Sequence, residues 1–489
     1  MSGILLFVLL LSRAEGFYKD VFMDGGTGLT GRTRLYAAES LGLSLEFISA
    51  QDSILLRRVI TGCSLDDNGY LLYPDGAPRF RVIFTNGGDA VTHSRALGDS
   101  GRQRIRQFFA AGGSYTGACA GAYLASLSNQ DSGISPYFYH LWPGRTKNTA
   151  ISSAWVGNFI PQNSPLLAYD SFGGDFYISG LYLNGGPYAN ESLDWPAGTE
   201  VLLRYDTLGH PAHNRCAGWA WKGADTSGRV VVIGTHPEGF SSGERLHLMM
   251  TVLRYALDGV GLPRLKAVLQ SGVPRIMDRG MEAPEFARIG DRQYHHFAID
   301  VPPGAESLCV LVQGADSFQL NLYLKWNGFA FRSSCDFADT APGAGKLMTV
   351  RSPAGGMWYI GVECATTVNC VNDSFPVYFG RMEVLNGVPY SVNAWWGGIG
   401  IAEDRWITLK KQPGLSPNPA RGFCNLYLPA GKGEIAVFDR MGRKVQNELA
   451  VITSCGSGVY HLRFARSLPA GVYLITGPGG FRKPLVLLR

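Results

Sequence analysis

The most informative chemical group in this 489-residue chain is the thiol of Cys119, which lies in the run Gly-Ala-Cys-Ala-Gly at residues 117–121. Residues 112–116 are typical of a short strand, and the alanine-rich residues 120–127 are typical of a helix. Cys119 is therefore predicted at a sharp strand-to-helix turn, a nucleophile elbow, which needs small neighbours and points the side chain away from both elements. The helix dipole and the free N–H groups there favour a thiolate. A buried structural cysteine is the alternative.

A histidine and a glutamate after a second strand supply the other groups that a cysteine hydrolase needs. Residues 229–234 are a β-branched run typical of a buried parallel strand, and His236 and Glu238 follow it with a proline between them. The residue before a proline is biased to extended geometry, so both side chains are predicted to project to one side. Glu238 can hold one imidazole nitrogen while the other takes a proton from Cys119. An incidental pair in a strand-end loop is the alternative.

Alternating strand and helix signals provide the scaffold for these groups. Strands are predicted at residues 20–23, 43–48 and 80–85, and helices at residues 32–41 and 101–111. This rhythm predicts an α/β domain with a parallel sheet. The loop at 26–31 also matches G-x-G-x-x-G, and Glu46 stands about where a ribose-binding acid would, so a dinucleotide site is the competing interpretation.

Together these segments resemble class I glutamine amidotransferase-like domains, in particular the type named for the N-terminal domain of biotin-protein ligase. The resemblance covers about residues 17–260 and depends on the segments 86–89, 119–123 and 182–186 together with the His-Pro-Glu run. It implies a flavodoxin-like parallel sheet and an oxyanion hole formed by the N–H groups of Gly88 and Ala120. Asn86 departs from the family, which usually has a proline there.

Substrate contacts are expected from neighbouring residues of the same segments, namely Gly87, Tyr123, Tyr182 and Asn184. Tyr123, Tyr182 and Trp142 could clamp a sugar, a peptide or an aromatic ring, or could equally belong to the core. No cofactor and no metal are expected. The chain has no Cys-x-x-Cys pair, and its one His-His-Cys group, at residues 210–216, lies in a loop rich in Pro and Asn.

Composition and charge place the chain among ordinary globular proteins. Hydrophobic residues make up 46% and charged residues 17% of the sequence, and the length fits about three domains. The net charge of +5 is small for this length, and no Lys/Arg cluster alternates with aromatic residues, so nucleic-acid binding has little support. No apolar run reaches the length of a transmembrane helix.

The first residues and the cysteine count favour export. An apolar run at 4–11 and a small-x-small site at 14–16 predict a signal peptide at residues 1–16, with a buried first strand as the alternative. Nine cysteines leave one thiol unpaired in an oxidising compartment, and Cys119 is expected to be that thiol. The candidate disulfides, whose connectivity stays open, join Cys364 to Cys370, Cys309 to Cys335, Cys424 to Cys455 and Cys63 to Cys216.

Helical signals end after the α/β domain, which is predicted at residues 17–261. A linker is predicted at 262–283, and residues 284–396 run as short alternating strands that predict a β-sandwich. Residues 301–308, 320–324 and 356–362 resemble the pre-peptidase C-terminal domain of secreted hydrolases. Since neighbouring side chains alternate across a strand, His295 and His296 are expected to form an exposed polar pair.

The C-terminal residues resemble an export module. After a linker at 397–413, residues 414–489 are similar to the type A sorting domain of the type IX secretion system in residues 415–420, 435–445 and 468–475. They are typical of a small antiparallel sandwich with Gly turns. The resemblance implies passage through the periplasm, contact with the secretion machinery, and a secreted or cell-surface protein.

Two functions fit this pattern. In the first, the α/β domain is a secreted cysteine amidase or peptidase-like hydrolase, in which His236 takes the proton and Cys119 attacks a carbonyl to form an acyl-enzyme. In the second, it is a catalytically silent binding or adhesion module that keeps the same residues. The sequence leaves the substrate open among small molecules, peptides and glycans.

Overall fold

The computed structural model describes residues 15–192 and 195–397 and seven shorter segments, which are 414–416, 423–427, 435–445, 450–454, 459–464, 469–477 and 481–487. Met1–Trp396 form one compact unit and Gly397–Arg489 a second. The predicted signal peptide lies outside the described residues up to position 14, and the predicted linker at 397–413 does so after Gly397. No helix in the described part of the chain is long and apolar enough to span a membrane.

One sheet of eleven strands dominates the first half of the first unit. Its strands are β1 (Lys19–Asp24), β2 (Leu45–Ile48), β3 (Phe80–Thr85), β4 (Ser114–Ala118), β5 (Thr146–Asn148), β6 (Ala154–Phe159), β7 (Tyr177–Leu183), β8 (Pro187–Ala189), β9 (Glu200–Asp206), β10 (Cys216–Trp221) and β11 (Val230–Ile233). They lie in the order β2-β1-β3-β4-β11-β10-β9-β6-β7, and β8 joins β10 to β5.

This sheet is mixed, whereas the sequence predicts a parallel one. Strands β2, β1, β3, β4 and β11 are mutually parallel. The other strands pair antiparallel, beginning with β10 against β11. No helix longer than a 3₁₀ turn is described between β5 and β11. Without crossover helices, neighbouring strands pair antiparallel.

Helices cover both faces of the large sheet. They are α1 (Tyr36–Ser40), α2 (Ser53–Thr61), α3 (Ala90–Ala110, interrupted at Gly98), α4 (Ala120–Ala125) and α5 (Gly243–Leu257). On β11, Val230 and Val232 pack into the core that includes residues of α2, α3 and α4, and Val231 and Ile233 pack into the core of α1 and α5. Because β11 is covered on both faces, it needs apolar side chains at consecutive positions, which the β-branched run at residues 229–234 supplies.

The second half of the first unit consists of mostly antiparallel strands around one hydrophobic core. The strands are β12 (Leu265–Val268), β13 (Arg275–Met277), β14 (Tyr294–Val301), β15 (Ser307–Gly314), β16 (Leu320–Trp326), β17 (Phe337–Asp339), β18 (Lys346–Arg351), β19 (Gly356–Cys364), β20 (Val368–Asn372), β21 (Pro376–Gly380) and β22 (Tyr390–Gly397). They form the sheets β12-β14-β19-β16-β17 and β13-β22-β15-β18 and the hairpin β20-β21. Short 3₁₀ turns occur at Pro165–Ala168, Phe172–Gly174, Pro284–Phe286 and Met382–Leu385.

The segment 262–283, predicted as a linker, contains β12 and β13, which pair with β14 and β22 at sheet edges. Edge strands bury little surface, so they lack the apolar alternation that identifies a strand. The expectation of an exposed pair at His295 and His296 is wrong, because β14 is covered on both faces. His295 Nδ1 lies 2.8 Å from the Tyr390 hydroxyl, and the His296 ring packs 4.7 Å from that of Phe331.

The seven cysteines whose side chains are described are all free. The candidate disulfides of Cys364 with Cys370, Cys309 with Cys335 and Cys63 with Cys216 are therefore wrong, whereas Cys455 lies outside the described residues. In each of these three pairs one thiol is buried in a strand and the other lies in a more exposed segment. Sequence spacing does not fix the distance between two Cα atoms, which decides whether a bridge can form.

Buried polar contacts join the two halves of the first unit. The guanidinium of Arg79 lies 3.3 Å from Asp66 and 3.1 Å from Asp291, and all three side chains are buried. Glu46 accepts hydrogen bonds from Lys19, Tyr70 and Asn372 at 2.7–2.8 Å. Since its carboxylate is occupied by these donors, Glu46 is not placed as a ribose ligand.

The C-terminal unit is described in seven strands and a few adjoining turn residues. The strands are β23 (Gly414–Ser416), β24 (Phe423–Tyr427), β25 (Ala436–Phe438), β26 (Ala450–Ser454), β27 (Val459–Phe464), β28 (Gly471–Gly477) and β29 (Phe481–Leu487). They form one antiparallel sheet in the order β23-β24-β27-β26 and another in the order β25-β28-β29. Buried side chains such as Val437, Leu462 and Ile475 supply apolar packing within this unit.

Candidate active site

The backbone at Cys119 makes a sharp turn between β4 and α4. Cys119 has φ 48° and ψ −99°, a conformation that non-glycine residues rarely adopt, and its N–H donates to Ile233 O at 2.9 Å. A Cβ at Gly117 would lie 2.8 Å from Gly121 Cα, and one at Gly121 would lie 2.6 Å from Thr85 O. The small neighbours are therefore needed because the helix start packs directly on the strand ends.

The thiol of Cys119 has two polar neighbours. Its Sγ lies 3.7 Å from the carbonyl oxygen of Asn184, and its side chain is close enough to the imidazole of His236 to raise the pKa of that ring. Only 5% of Cys119 is exposed. The Tyr123 hydroxyl donates to Gly185 O at 2.9 Å and so fixes the loop that carries the Asn184 carbonyl.

His236 is held between the thiol and a buried carboxylate. Its N–H donates to Tyr182 O at 2.9 Å, and its Nδ1 lies 2.9 Å from Glu238 Oε1. Burial lowers the pKa of the imidazole, but the hydrogen bonds with Cys119 and Glu238 and the charges of both outweigh it and raise the pKa of His236 to about 10. The raised pKa favours the protonated form of the His236 ring.

The loop after β3 packs against the imidazole. A Cβ at Gly87 would lie 2.1 Å from His236 Cε1, and Gly88 has φ +147°, which is open to glycine alone. Thr30 N donates to Gly87 O at 2.8 Å. No described residue accepts a hydrogen bond from the N–H groups of Gly88 and Ala120, and Ala120 is the first residue of α4, where N–H groups lack a partner within the helix.

Asn86, the departure from the family, has a local role. Its N–H donates to Asp24 O at 3.0 Å, a bond that proline could not make. Asp24 also lies 3.1 Å from Nε2 of the buried His93, whose Nδ1 is 2.9 Å from Thr27 O. The negative charge of Asp24 outweighs the effect of burial and raises the pKa of His93. Sequence reasoning did not single out this second histidine and carboxylate pair, which ties α3 to the loop at 26–31.

The predicted aromatic contacts divide into core and surface. Trp142 is fully buried and donates from Nε1 to Thr199 at 2.9 Å, so it is not placed to clamp a substrate. Tyr123 is buried as well, and only Tyr182 is partly exposed, with its ring 5.7 Å from that of His236. Sequence reasoning missed the neighbouring rings of Trp155 and Phe240, although the outward alternation on β6 exposes Trp155.

Arg32 is a further residue that sequence reasoning missed. Its guanidinium lies 3.3 Å from the position that a Cβ on Gly239 would take, next to Glu238. Among the described residues no group of three His, Cys, Asp or Glu side chains is placed to hold a metal ion. A cavity of about 630 Å³ lies where the two halves of the first unit meet, with Tyr73 and Phe331 in its lining, and Cys119 and His236 do not line it.

Residues 77–130 match the family model described as the N-terminal part of biotin-protein ligase. The matched segment contains Gly87, Gly88 and Cys119 and ends before His236. No curated protein matches this chain in sequence.

One solved structure with partial similarity is the pre-peptidase C-terminal domain of collagenase from Bacillus anthracis, at 9% identity over 27% of this chain and 99% of that chain, with a TM-score of 0.17. A second is Aeromonas hydrophila PliG, a periplasmic inhibitor of g-type lysozyme, at 13% identity over 27% of this chain and 97% of that chain, with a TM-score of 0.18. A third is the Bacillus licheniformis lipase BlEst2 in propeptide form, at 11% identity over 49% of this chain and 44% of that chain, with a TM-score of 0.14. These scores are too low to carry an argument. The chain is thus similar to the N-terminal biotin-protein ligase family over the segment with the sharp turn at Cys119 and the Gly-Gly loop.

Proposed function

We propose that the α/β half of the first unit is a cysteine-dependent amidase or peptidase-like hydrolase that works through Cys119, His236 and Glu238. The observation that carries the proposal is the strained backbone at Cys119, which holds a thiol at the start of a helix against an imidazole backed by a buried carboxylate. Strain at a non-glycine residue is maintained where function needs it. A cysteine with a purely structural role needs neither the positive φ nor the paired histidine.

In the proposed reaction the thiolate of Cys119 attacks the carbonyl carbon of an amide. The electron pair of the C=O bond moves to oxygen, and the N–H groups of Gly88 and Ala120 donate to the resulting oxyanion. The imidazolium of His236 gives its proton to the leaving amine as the C–N bond breaks, which leaves a thioester on Cys119. His236 then takes a proton from water, whose oxygen attacks the thioester; the C–S bond breaks, a carboxylic acid is released, and Cys119 returns to a thiolate beside the reprotonated ring.

Glu238 orients the ring and stabilises its charge without moving a proton itself. The Asn184 carbonyl and Gly87 would lie beside the bound substrate, since both flank the thiol and the imidazole. Tyr123 supports this wall through Gly185, and Tyr182 supplies a partly exposed ring.

The remaining parts of the chain would serve this enzyme outside the cell. The order β2-β1-β3-β4-β11 of the parallel strands supports a flavodoxin-like assignment for the catalytic half. The two sheets around the common core of the second half support a β-sandwich accessory domain of the pre-peptidase C-terminal type. The C-terminal unit, by its resemblance, would address the protein to the type IX machinery and so to the cell surface or the medium.

The second candidate is a binding module that keeps the constellation without turnover. It is favoured by the low exposure of Cys119, which leaves little of the thiol open to a substrate. In that case ligand affinity would survive Cys119→Ala unchanged, and no acyl-enzyme would form.

A covalent probe decides between the two. Incubation of the full chain with a chloroacetamide and with a panel of acylated amides should label Cys119 and release amine, and Cys119→Ala and His236→Ala should each abolish turnover. Exposed Cys63 provides the matched control, since Cys63→Ala should retain wild-type turnover. Equal behaviour of wild type and Cys119→Ala across peptides, acyl-amides and glycan amides would refute the hydrolase.

A further inference from the structure

A buried ion pair lies beneath the loop at residues 26–31, which we call the β1 loop. His93, in the first turn of α3, has its Nε2 3.1 Å from Oδ2 of Asp24, and neither side chain is more than 1% exposed. Nδ1 of the same ring lies 2.9 Å from Thr27 O. A carboxylate and a carbonyl oxygen can only accept, so both contacts are favourable together when both ring nitrogens carry a proton. His93 is therefore an imidazolium held between Asp24 and the β1 loop.

The ion pair and the start of α3 anchor three consecutive residues of the β1 loop. Asp24 Oδ1 accepts the N–H of Gly26 at 3.0 Å, and the carbonyl of Thr27 faces the imidazolium ring. Gly28 packs directly on the helix, since a Cβ there would lie 2.7 Å from His93 N. The path of the β1 loop is thus set by Asp24 and His93.

The β1 loop in turn holds the Gly-Gly loop after β3. Thr30 N donates to Gly87 O at 2.8 Å. Gly28 O accepts the N–H of the residue that follows Gly88, also at 2.8 Å. Between these two bonds, Leu29 forms an isolated antiparallel bridge with Gly88. The two loops are therefore in direct backbone contact, and a shift of the β1 loop shifts Gly88.

Gly88 is the residue through which this chain of contacts reaches the proposed chemistry. Its N–H is one of the two donors proposed for the oxyanion, and such a donor acts only when it points at the oxygen that gains charge. We infer that His93, together with Asp24, is a positioning residue that fixes the Gly88 N–H for catalysis by holding the β1 loop. The inference rests on the proposed hydrolase, because a binding module has no oxyanion to stabilise. His93 itself is fully buried, so it influences the substrate only through this loop.

Two reactions of the same thiol separate a positioning role from a general effect on folding. In the reaction with p-nitrophenyl acetate, the Cys119 thiolate forms a bond to the carbonyl carbon, an oxyanion develops, and p-nitrophenolate leaves with the electron pair of its C–O bond. In the reaction with chloroacetamide, the thiolate forms a C–S bond as chloride leaves with the electron pair of the C–Cl bond, and no oxyanion develops. Each rate at Cys119 is the difference between a full-length variant and the same variant with Cys119→Ala.

The substitution His93→Gln should slow acylation selectively. Glutamine retains a donor towards Asp24 but has no nitrogen at the position of Nδ1, so the β1 loop loses its anchor at Thr27 O. The acylation rate should fall by about 10-fold or more, since complete loss of one oxyanion donor costs about 100- to 1,000-fold. The alkylation rate should stay at its wild-type value, because Glu238 still holds the His236 ring beside the thiol.

Two further variants check the same contacts without leaving a buried charge unpaired. Gly28→Ala places a carbon 2.7 Å from His93 N, which displaces the β1 loop from α3, and it should show the same selective loss of acylation. This variant decides the matter if His93→Gln does not fold. Asp24→Asn should retain acylation, because the amide oxygen still accepts the Gly26 N–H. The amide N–H can donate to Nε2 of a neutral His93 ring, whose Nδ1 keeps its proton for Thr27 O.

His295→Gln is the matched control for the loss of a buried histidine. His295 lies on β14 in the other half of the first unit, with Nδ1 2.8 Å from the Tyr390 hydroxyl and Nε2 3.6 Å from Asp75. This variant should lower the midpoint of thermal unfolding, as His93→Gln does, and leave both rates at Cys119 unchanged.

Three results would overturn the inference. They are an equal fall of both rates in His93→Gln, an acylation rate that stays unchanged in His93→Gln or in Gly28→Ala, and a selective loss of acylation in Asp24→Asn, which keeps the contacts to the β1 loop. If the wild-type Cys119 reacts with neither reagent, the proposed hydrolase fails and the inference fails with it. If the wild type reacts with both reagents and His93→Gln leaves the ratio of the two rates unchanged, only the positioning role is refuted.

Discussion

The substitution Gly87→Ala tests whether the position of the His236 ring controls the chemistry. The added methyl carbon would lie 2.1 Å from Cε1 and 2.8 Å from Nδ1 of His236. Carbon atoms in contact stand about 3.5–4.0 Å apart, so the imidazole must move by about 1.4 Å or more. A misplacement of about 1 Å can cost on the order of 100-fold in rate, and we expect kcat/KM to fall by at least that factor.

The assay follows the initial rate of amine release together with the second-order rate of Cys119 labelling by a chloroacetamide. Both should fall in Gly87→Ala, because the displaced ring neither stabilises the thiolate nor reaches the leaving amine. The midpoint of thermal unfolding should change little, since the clash is with a side chain that can rotate. Gly345→Ala is the control, because a Cβ there meets nothing within 4 Å. A Gly87→Ala variant with wild-type rates for both reactions would refute the role assigned to His236.

The remaining predictions concern pH, thiol reactivity and the junction. In the wild type, kcat/KM should fall on the alkaline side near pH 10, because the protonated His236 ring is present below its pKa and lost above it. Glu238→Gln removes a charge that raises this pKa, so the alkaline limb should move to lower pH. A limb that does not move contradicts the role assigned to Glu238. Iodoacetamide should label exposed Cys63 in the folded protein and spare buried Cys216, Cys309 and Cys364 until unfolding, with or without reductant. Cys119 is also buried but should be labelled, because the proposed hydrolase needs a thiol that His236 activates and that a small electrophile can reach; mass spectrometry that finds Cys119 as resistant as the other buried thiols would contradict this. Asp291→Asn should lower the free energy of unfolding by about 3 kcal/mol in urea titrations, because it leaves the buried charge of Arg79 incompletely paired. Asp278→Asn, which breaks an exposed pair with Arg288, is the control and should change the free energy of unfolding by less than about 1 kcal/mol. Equal effects of the two substitutions would contradict the importance of burial.

The local features of the candidate site could be predicted from sequence because they depend on a few consecutive residues. The glycines around Cys119 signal a close approach of helix to strand, and the structure has that approach at Gly121 and Thr85. The β-branched run before His236 became β11, buried on both faces as its composition requires. The bounds predicted for β3 also agree with the structure.

Contacts between distant segments could not be predicted in the same way. Arg79 and Asp291 are 212 positions apart, and nothing near either residue indicates that the two form a buried pair. His295 and His296 violate the alternation rule because both faces of β14 are covered, which depends on packing that β14 itself does not encode. The cluster of rings at the edge of the large sheet is equally hidden from local sequence, since β6 supplies Trp155 and Phe159 and β7 supplies Tyr177 and Tyr182.

The G-x-G-x-x-G loop shows how a motif with a known use can serve another one. A Cβ at Gly28 would lie 2.7 Å from His93 N, and Gly28 O accepts the N–H of Asp89 at 2.8 Å. Asp89 in turn caps α3 by accepting from Val91 and Thr92 at 2.9 Å. The small residues of this loop therefore allow close packing against the Gly-Gly loop that contacts His236. In a dinucleotide-binding protein the same glycine spacing lets the backbone approach a phosphate, whereas here it supports the proposed cysteine site.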